Sequence, residues 1–485
     1  MAESCFTSYD TALSRMLALG HELAQTPSHK FDLAHMRVLL AALGHPERRF
    51  PSVLIAGTNG KGSTAATLAS ILRASGLKTG LYTSPHLIRI NERIRINGEP
   101  IRDDDFAGLH GEVDQVAERL VAQGALPWHP SFFEMMTTIA FEHFAGQKVD
   151  VAVLEVGMGG RLDATNVVEP LLSVITDISL DHQKYLGDTV GEIAREKAGI
   201  LRRNGVVVTL PQQPEANDVI GNAILELEAR AVNAVPYVPP VSPGSSAYLV
   251  AGSEARPGDA ESWAGASGQR DFTAKSSKEA AKGAAQFLYR YPLSVLGKQI
   301  LVETSLVGRH QLRNVALAIA AAGELSRRFH HITAETIERG IRETRWPGRF
   351  QVIAARAGWP EIVLDVAHNP AGAWALRSAL SERYPDRPLL FVFGAMRDKA
   401  IGEMTEILFP LAERVIATQP ENPRSAPPEE IQQAGARTGA EIETASAVAS
   451  ALERAKALAA TGTPIVITGS IYLVGEAMRL LDVRV

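Results

Sequence analysis

In "VLIAGTNGKGST", residues 53–64, four apolar residues run into three glycines, Lys61 and the hydroxylated Ser63 and Thr64. A strand, a glycine-rich turn and a helix in that order aim backbone N–H groups at a phosphate. The lysine then reaches the outer phosphates and the serine meets magnesium. The standard pattern G-x-x-x-x-G-K-[ST] is met imperfectly, because Ile55 stands at its first glycine and Gly62 at its hydroxyl. An ordinary tight turn explains one or two glycines, but not Lys61 and Ser63 in register.

Other chemistry-bearing residues also close apolar runs. Glu155 ends "VAVLE", where a carboxylate at a strand's carboxyl end holds magnesium, orients a water or merely faces solvent. Arg161 and Asp163 follow in the same loop. Asp181 and His182 come just after another strand, and Lys197 lies on the amphipathic helix beyond. A lone histidine is more often structural than a ligand, and a lone helix lysine is usually a solvated charge. In "IVLDVAHNP", Asp365 suits a ribose hydroxyl or an adenine contact, while His368 and Asn369 sit in a turn that could cap the helix from Ala371. Arg397 and Lys399 in "GAMRDK" repeat the arrangement one strand later, free to reach across a cleft.

The elements that position these residues are short apolar runs separated by helical spacing, as in a parallel α/β sheet. A chain of 485 residues exceeds the usual size of one core, so two domains are expected, 1–346 and 347–485, with a break at Pro347 and Gly348. Residues 239–285, rich in Pro, Gly, Ser and Ala, are expected to be a flexible surface insertion. The formal charge of −5, without a basic face, argues against nucleic acid. The single cysteine, Cys5, and the absence of a leader or a long apolar segment point to the cytoplasm, with no membrane partner.

Taken together, "GTNGKGS" (57–63), "YTSPHL" (82–87), "SFFEMMT" (131–137), "LEVGMGGRLDATN" (154–166), "DHQKYLG" (181–187), "EKAGI" (196–200), "WPGRFQV" (346–352), "DVAHNP" (365–370) and "GAMRDK" (394–399) resemble the Mur ligase superfamily, and within it the folylpolyglutamate and dihydrofolate synthases. The resemblance implies a P-loop N-terminal domain with a mainly parallel central sheet, and a smaller Rossmann-like α/β domain after it. It implies that Gly57, Thr58, Asn59, Gly60, Lys61, Gly62, Ser63, Asn314, Arg349 and Asp365 bind ATP. Two magnesium ions would be held through Ser63, Ser84, Glu155 and His182, and Lys197 would be carried as a carbamate; a monovalent cation such as K+ is a further expected ligand. Asp32, Ser131, Phe132, Phe133, Glu134, Leu162, Asp163, Ala164 and His368 would contact substrate, and Lys61, Lys197, His182 and Arg349 would serve catalysis. Where bifunctional bacterial members have D-L-G-L, this chain has Asp32-Leu33-Ala34-His35.

The expected reaction joins L-glutamate to a folate, and to dihydropteroate, in a monomer. ATP phosphorylates the carboxylate, and the amine of glutamate displaces phosphate. The rivals are a cell-wall ligase acting on muramyl precursors and a nucleotide-gated binding protein.

Overall fold

The computed structural model describes residues 8–20, 33–240, 249–251, 287–356, 358–459 and 462–483. Its first sheet has eight strands, in the spatial order Glu99–Pro100, Ile94–Ile96, Thr79–Tyr82, Val151–Glu155, Ser52–Ala56, Leu172–Ile175, Val206–Thr209 and Arg230–Asn233. The last six run parallel and the first two antiparallel. Val151–Glu155 and Ser52–Ala56 are buried along their whole length, which is why they appear in sequence as unbroken apolar runs without alternation. Parallel strands place their carboxyl ends on one edge, so the loops after residues 56, 155 and 175 emerge together.

Helix Lys61–Ala74 leaves the central strand and is covered by helices Arg309–Leu325 and Ala334–Glu343. The crossing with the latter is close: a Cβ on Gly340 would lie 2.4 Å from the Ile71 Cα. A second, six-stranded sheet follows in the order Gln351–Ile353, Ile362–Leu364, Ile465–Thr468, Leu389–Phe393, Ala412–Thr418 and Glu441–Ala445. It is parallel except at its first edge. The mixed α/β class expected from sequence is what is observed.

A small antiparallel sheet was not anticipated. Phe287–Val295 pairs with Lys298–Thr304 through Leu296 (φ 48°) and Gly297 (φ 76°), two successive positive φ values that suit a tight hairpin. Leu249–Ala251 adds a third strand, so a structureless insertion over 239–285 is too broad a description; residues 241–248 and 252–286 lie outside the described residues. Among the described residues, no helix is long and apolar enough to cross a membrane.

Candidate active site

The glycine-rich turn follows strand Ser52–Ala56, and Gly60 caps helix Lys61–Ala74 with φ 87°. A side chain there is excluded twice over, because its Cβ would also fall 2.1 Å from the Asn314 Oδ1. Asn314 is thereby seated on the turn. The departure from the standard pattern at Gly62 has a similar cause: the Trp346 ring comes within 3.0 Å of a Cβ at that position. The buried hydroxyl consequently falls one residue later, on Ser63. Not every amide of the turn is available, since Thr58 and Asn59 donate theirs to the Asp177 carbonyl at 2.9 and 3.1 Å. The amides left for an anion are those at the helix N-terminus, which have no intrahelical acceptor. Arg313 holds the Asp177 carboxylate at 2.6 Å, bracing the turn from outside; neither residue was singled out in sequence.

Two lysines meet at one carbonyl. The Lys61 Nζ donates to the carbonyls of Gly57 and Thr58 at 3.1 Å each, and the Lys197 Nζ donates to Gly57 at 2.7 Å. Lys197 is 4% exposed, so it is no solvated helix-face charge. Burial, reinforced by the Lys61 charge, pushes its ammonium down to about 7. A large fraction of Lys197 is therefore a neutral amine near neutral pH.

Asp181, in the loop after strand Leu172–Ile175 and with its side chain 8% exposed, joins the two sheets. It accepts the Lys399 Nζ at 2.7 Å and the Asn369 Nδ2 at 3.1 Å, and Asn369 also donates to the Asn59 Oδ1 at 3.0 Å. Burial opposes the Asp181 charge, but the Lys399 ammonium that donates to it holds the carboxyl below the usual range. His182 and His368 lie with Nε2 at 3.9 and 3.8 Å from it. Burial first, then the nearby cations, drive His182 down to about 3 and His368 to about 4, leaving both imidazoles neutral and able to ligate. The His368 Nδ1 donates to the Val366 carbonyl at 2.9 Å, which turns Nε2 to the Asp181 side. Asn369 also caps its helix as expected, its Oδ1 accepting from the Gly372 amide at 2.8 Å.

Glu155 and Ser84 meet beside the turn, where the Ser84 amide donates to the Glu155 Oε2 at 3.2 Å. Burial lowers the Arg349 guanidinium, opposed by Asp365 and Glu155. Asp365 lines the cleft, yet its carboxylate already accepts the amides of Phe350 and Ala367 at 2.8 and 2.9 Å, so part of its role is to shape that loop. Ser63, Ser84 and Glu155 offer only hard oxygens, which fits magnesium. Among the described residues no three His, Cys, Asp or Glu side chains gather as a metal cage, so phosphates and water would complete the shell.

The outer part of the cleft is made by helix Phe132–Gly146 and its approach. Ser131 and Glu134 form a capping box, with the Ser131 amide donating to the Glu134 Oε2 at 2.8 Å. Phe133 lines the cleft, whereas Phe132 does not: it is buried in the core beneath the Arg93 guanidinium, 5.2 Å from its ring centroid. Neighbouring helix positions diverge by about 100°, so both phenylalanines cannot face one ligand. Leu162, Asp163 and Ala164 line the cleft; Asp163 also shapes its loop by accepting the amides of Met158 and Thr165. Arg397 is exposed and absent from the cleft wall, its amide held by the Arg424 carbonyl, so of the "GAMRDK" pair only Lys399 reaches across. Asp32 lies outside the described residues. The remaining expected residues border one cavity of about 1260 Å³, together with His35 of the departing Asp32–His35 segment and with Trp128 and His310, which carry no signal of their own in the sequence.

A glycine-turn nucleotide site opposed by a second α/β sheet across a polar cleft defines an ATP-dependent ligase of the Mur type. The family described as Mur ligase, glutamate ligase domain, matches residues 348–471. Over 456 residues the chain is 34% identical to the dihydrofolate synthase/folylpolyglutamate synthase of Bacillus subtilis, covering 93% of this chain and 95% of that one. Mycobacterium tuberculosis folylpolyglutamate synthase complexed with ADP superposes with a TM-score of 0.80 at 30% identity, over 98% of both chains. An Escherichia coli relative in complex with DHPP and ADP gives a TM-score of 0.74 at 26% identity, over 97% of each. The chain belongs to the folylpolyglutamate synthase/dihydrofolate synthase family.

Proposed function

We propose that this protein adds L-glutamate to tetrahydrofolate and its glutamylated forms, and to dihydropteroate, with conversion of ATP to ADP and phosphate in the cytoplasm. The observation that carries this reading is the convergence of Lys61 and Lys197 on Gly57, in one cavity with the Asp181–Lys399 pair. A carboxylate and a triphosphate repel each other, so bringing them together requires cations on both sides and little water. Lys61 and Arg349 supply that charge. Magnesium, held by Ser63, Ser84 and Glu155, would neutralise the outer phosphates. The carboxylate oxygen attacks the γ-phosphorus and ADP leaves; the glutamate amine then attacks the acyl carbon, and phosphate departs with that oxygen. Lys197, as a neutral amine, is suited to add CO2 and lose a proton, becoming an anionic carbamate in the cavity that His182 also borders. Residues 1–346 and 347–485 act as two bodies that Asp181, Asn59, Asn369 and Lys399 hold together. ADP release with L-glutamate, assayed separately against tetrahydrofolate and dihydropteroate, tests the reading. Turnover with muramyl precursors instead, or ATP binding without amino-acid-stimulated release, would overturn it.

A further inference from the structure

The loop after strand Thr79–Tyr82 carries Ser84 and then leaves its own domain. The side chains of Leu87 and Ile88 pack against the core of the second sheet, in the cluster that holds Val366, Leu473 and Val474. Gly475, inside helix Ile471–Leu480, is what permits the approach: a Cβ there would fall 1.9 Å from the Leu87 carbonyl oxygen. Glycine within a helix is destabilising relative to alanine, and here the missing side chain lets two backbones touch. On the other side of the same leucine, a Cβ on Gly348 would lie 3.3 Å from the Leu87 Cδ2.

From the first domain, one carboxylate holds the same segment. The Glu92 Oε2 accepts the Leu87 amide at 2.8 Å, and its Oε1 accepts the amides of Ile88 and Arg89 at 3.0 and 2.6 Å. A capping box for the short helix Ile90–Arg93 uses only the Arg89 amide. The other two precede that helix, so Glu92 binds the loop as well as capping. Successive amides around an anion form a concave nest, and the enclosed carboxylate fixes its shape. Upstream in the same loop, the Ser84 amide donates to the Glu155 Oε2 at 3.2 Å. Ser84 and Glu155 border a small cavity of about 30 Å³ together with Arg349 and Ile471, the first residue of the helix that carries Gly475.

We propose that Glu92 and Gly475 are positioning residues for magnesium: the loop clamped between them presents Ser84 to Glu155, so the seating of the second domain is felt at the metal site. The proposal rests on the ATP reading of the glycine turn. Neither residue borders the large cavity, so their effect runs through the loop backbone rather than through contact with the nucleotide.

Magnesium titrations of ATP binding, followed by calorimetry, compare wild type with Glu92→Gln, Gly475→Ala and the two combined. Gly475→Ala should weaken the magnesium-dependent binding about tenfold, the low end of what displaced supports of metal ligands cost. Glu92→Gln should do so more weakly, because the side-chain amide keeps one acceptor oxygen. Kd for ATP without metal should change less than about twofold. The double variant should lose little beyond the larger single effect, since both act through one loop. Amide exchange at Leu87, Ile88 and Arg89 should quicken in each variant with no ligand present. Should Gly475→Ala fail to fold, Glu92→Gln decides the matter alone. An unchanged magnesium titration in a folded variant, or equal weakening with and without the metal, would overturn the proposal. Wild type that binds ATP no better with magnesium than without it would remove the ATP reading itself, which separates the two failures.

Discussion

The inner and outer ends of the cleft are built from different materials. At the inner end, one turn of backbone, two lysines sharing a carbonyl and the Asp181–Lys399 ion pair concentrate charge. At the outer end, a capped helix, Phe133 and the His35–Trp128 pair offer aromatic surface with few fixed charges. Buried charge acts on the transition state, whereas aromatic contact binds ground and transition states alike. Inner substitutions should therefore lower kcat, and outer ones should raise KM.

Lys61→Ala should break the inner end most completely, lowering kcat for glutamate-dependent ADP release roughly a thousandfold, as loss of a charge-stabilising donor does elsewhere. Retained turnover would detach the turn from catalysis. Lys399→Met should follow. It leaves Asp181 buried without its ammonium partner and should cost about 3–5 kcal/mol in thermal or denaturant unfolding. An unchanged melting temperature would show that the pair does not join the two sheets in solution.

Lys197→Ala should lower kcat about a hundredfold, with partial recovery on adding short carboxylic acids. In wild type, uptake of isotope-labelled bicarbonate by Lys197 should grow as pH rises through about 7, because burial lowers its ammonium to that range and only the neutral amine reacts. Uptake that is flat with pH, or a fully active alanine variant, would remove the carbamate role. At the small end of the scale, Arg397→Ala should change kcat and KM by less than about twofold, since a solvated charge outside the cleft contributes little. A large loss there would mean that the cleft closes further in the working cycle than the structure describes.

The same contrast decides what could be inferred from sequence. The inner end was legible because a turn that binds phosphate is contiguous: strand, glycines, Lys61 and Ser63 fall within a dozen residues. Glu155 and Asp365 were legible because parallel strands bring their carboxyl ends to one edge. Lys197 was not decidable from its own helix, since its burial depends on the loop at Gly57, far away in sequence. The bracing of the turn by Asp177 and Arg313, and the Trp346 ring over Gly62, arise from tertiary contacts with no local signature. At the outer end, treating "SFFE" as one motif obscured the helical rotation that separates Phe132 from Phe133. The antiparallel hairpin Phe287–Thr304 went unseen because it adjoins a stretch whose composition suggested only loop.

If this cleft activates a carboxylate by phosphorylating it, one carboxylate oxygen must leave with the phosphate. Tetrahydrofolate labelled with heavy oxygen in its terminal carboxylate, incubated with ATP and L-glutamate, tests that claim directly through mass analysis of the released phosphate. One labelled oxygen should appear in each phosphate, carried over from the acyl phosphate. Unlabelled phosphate accompanying amide formation would rule out an acyl phosphate in this cleft.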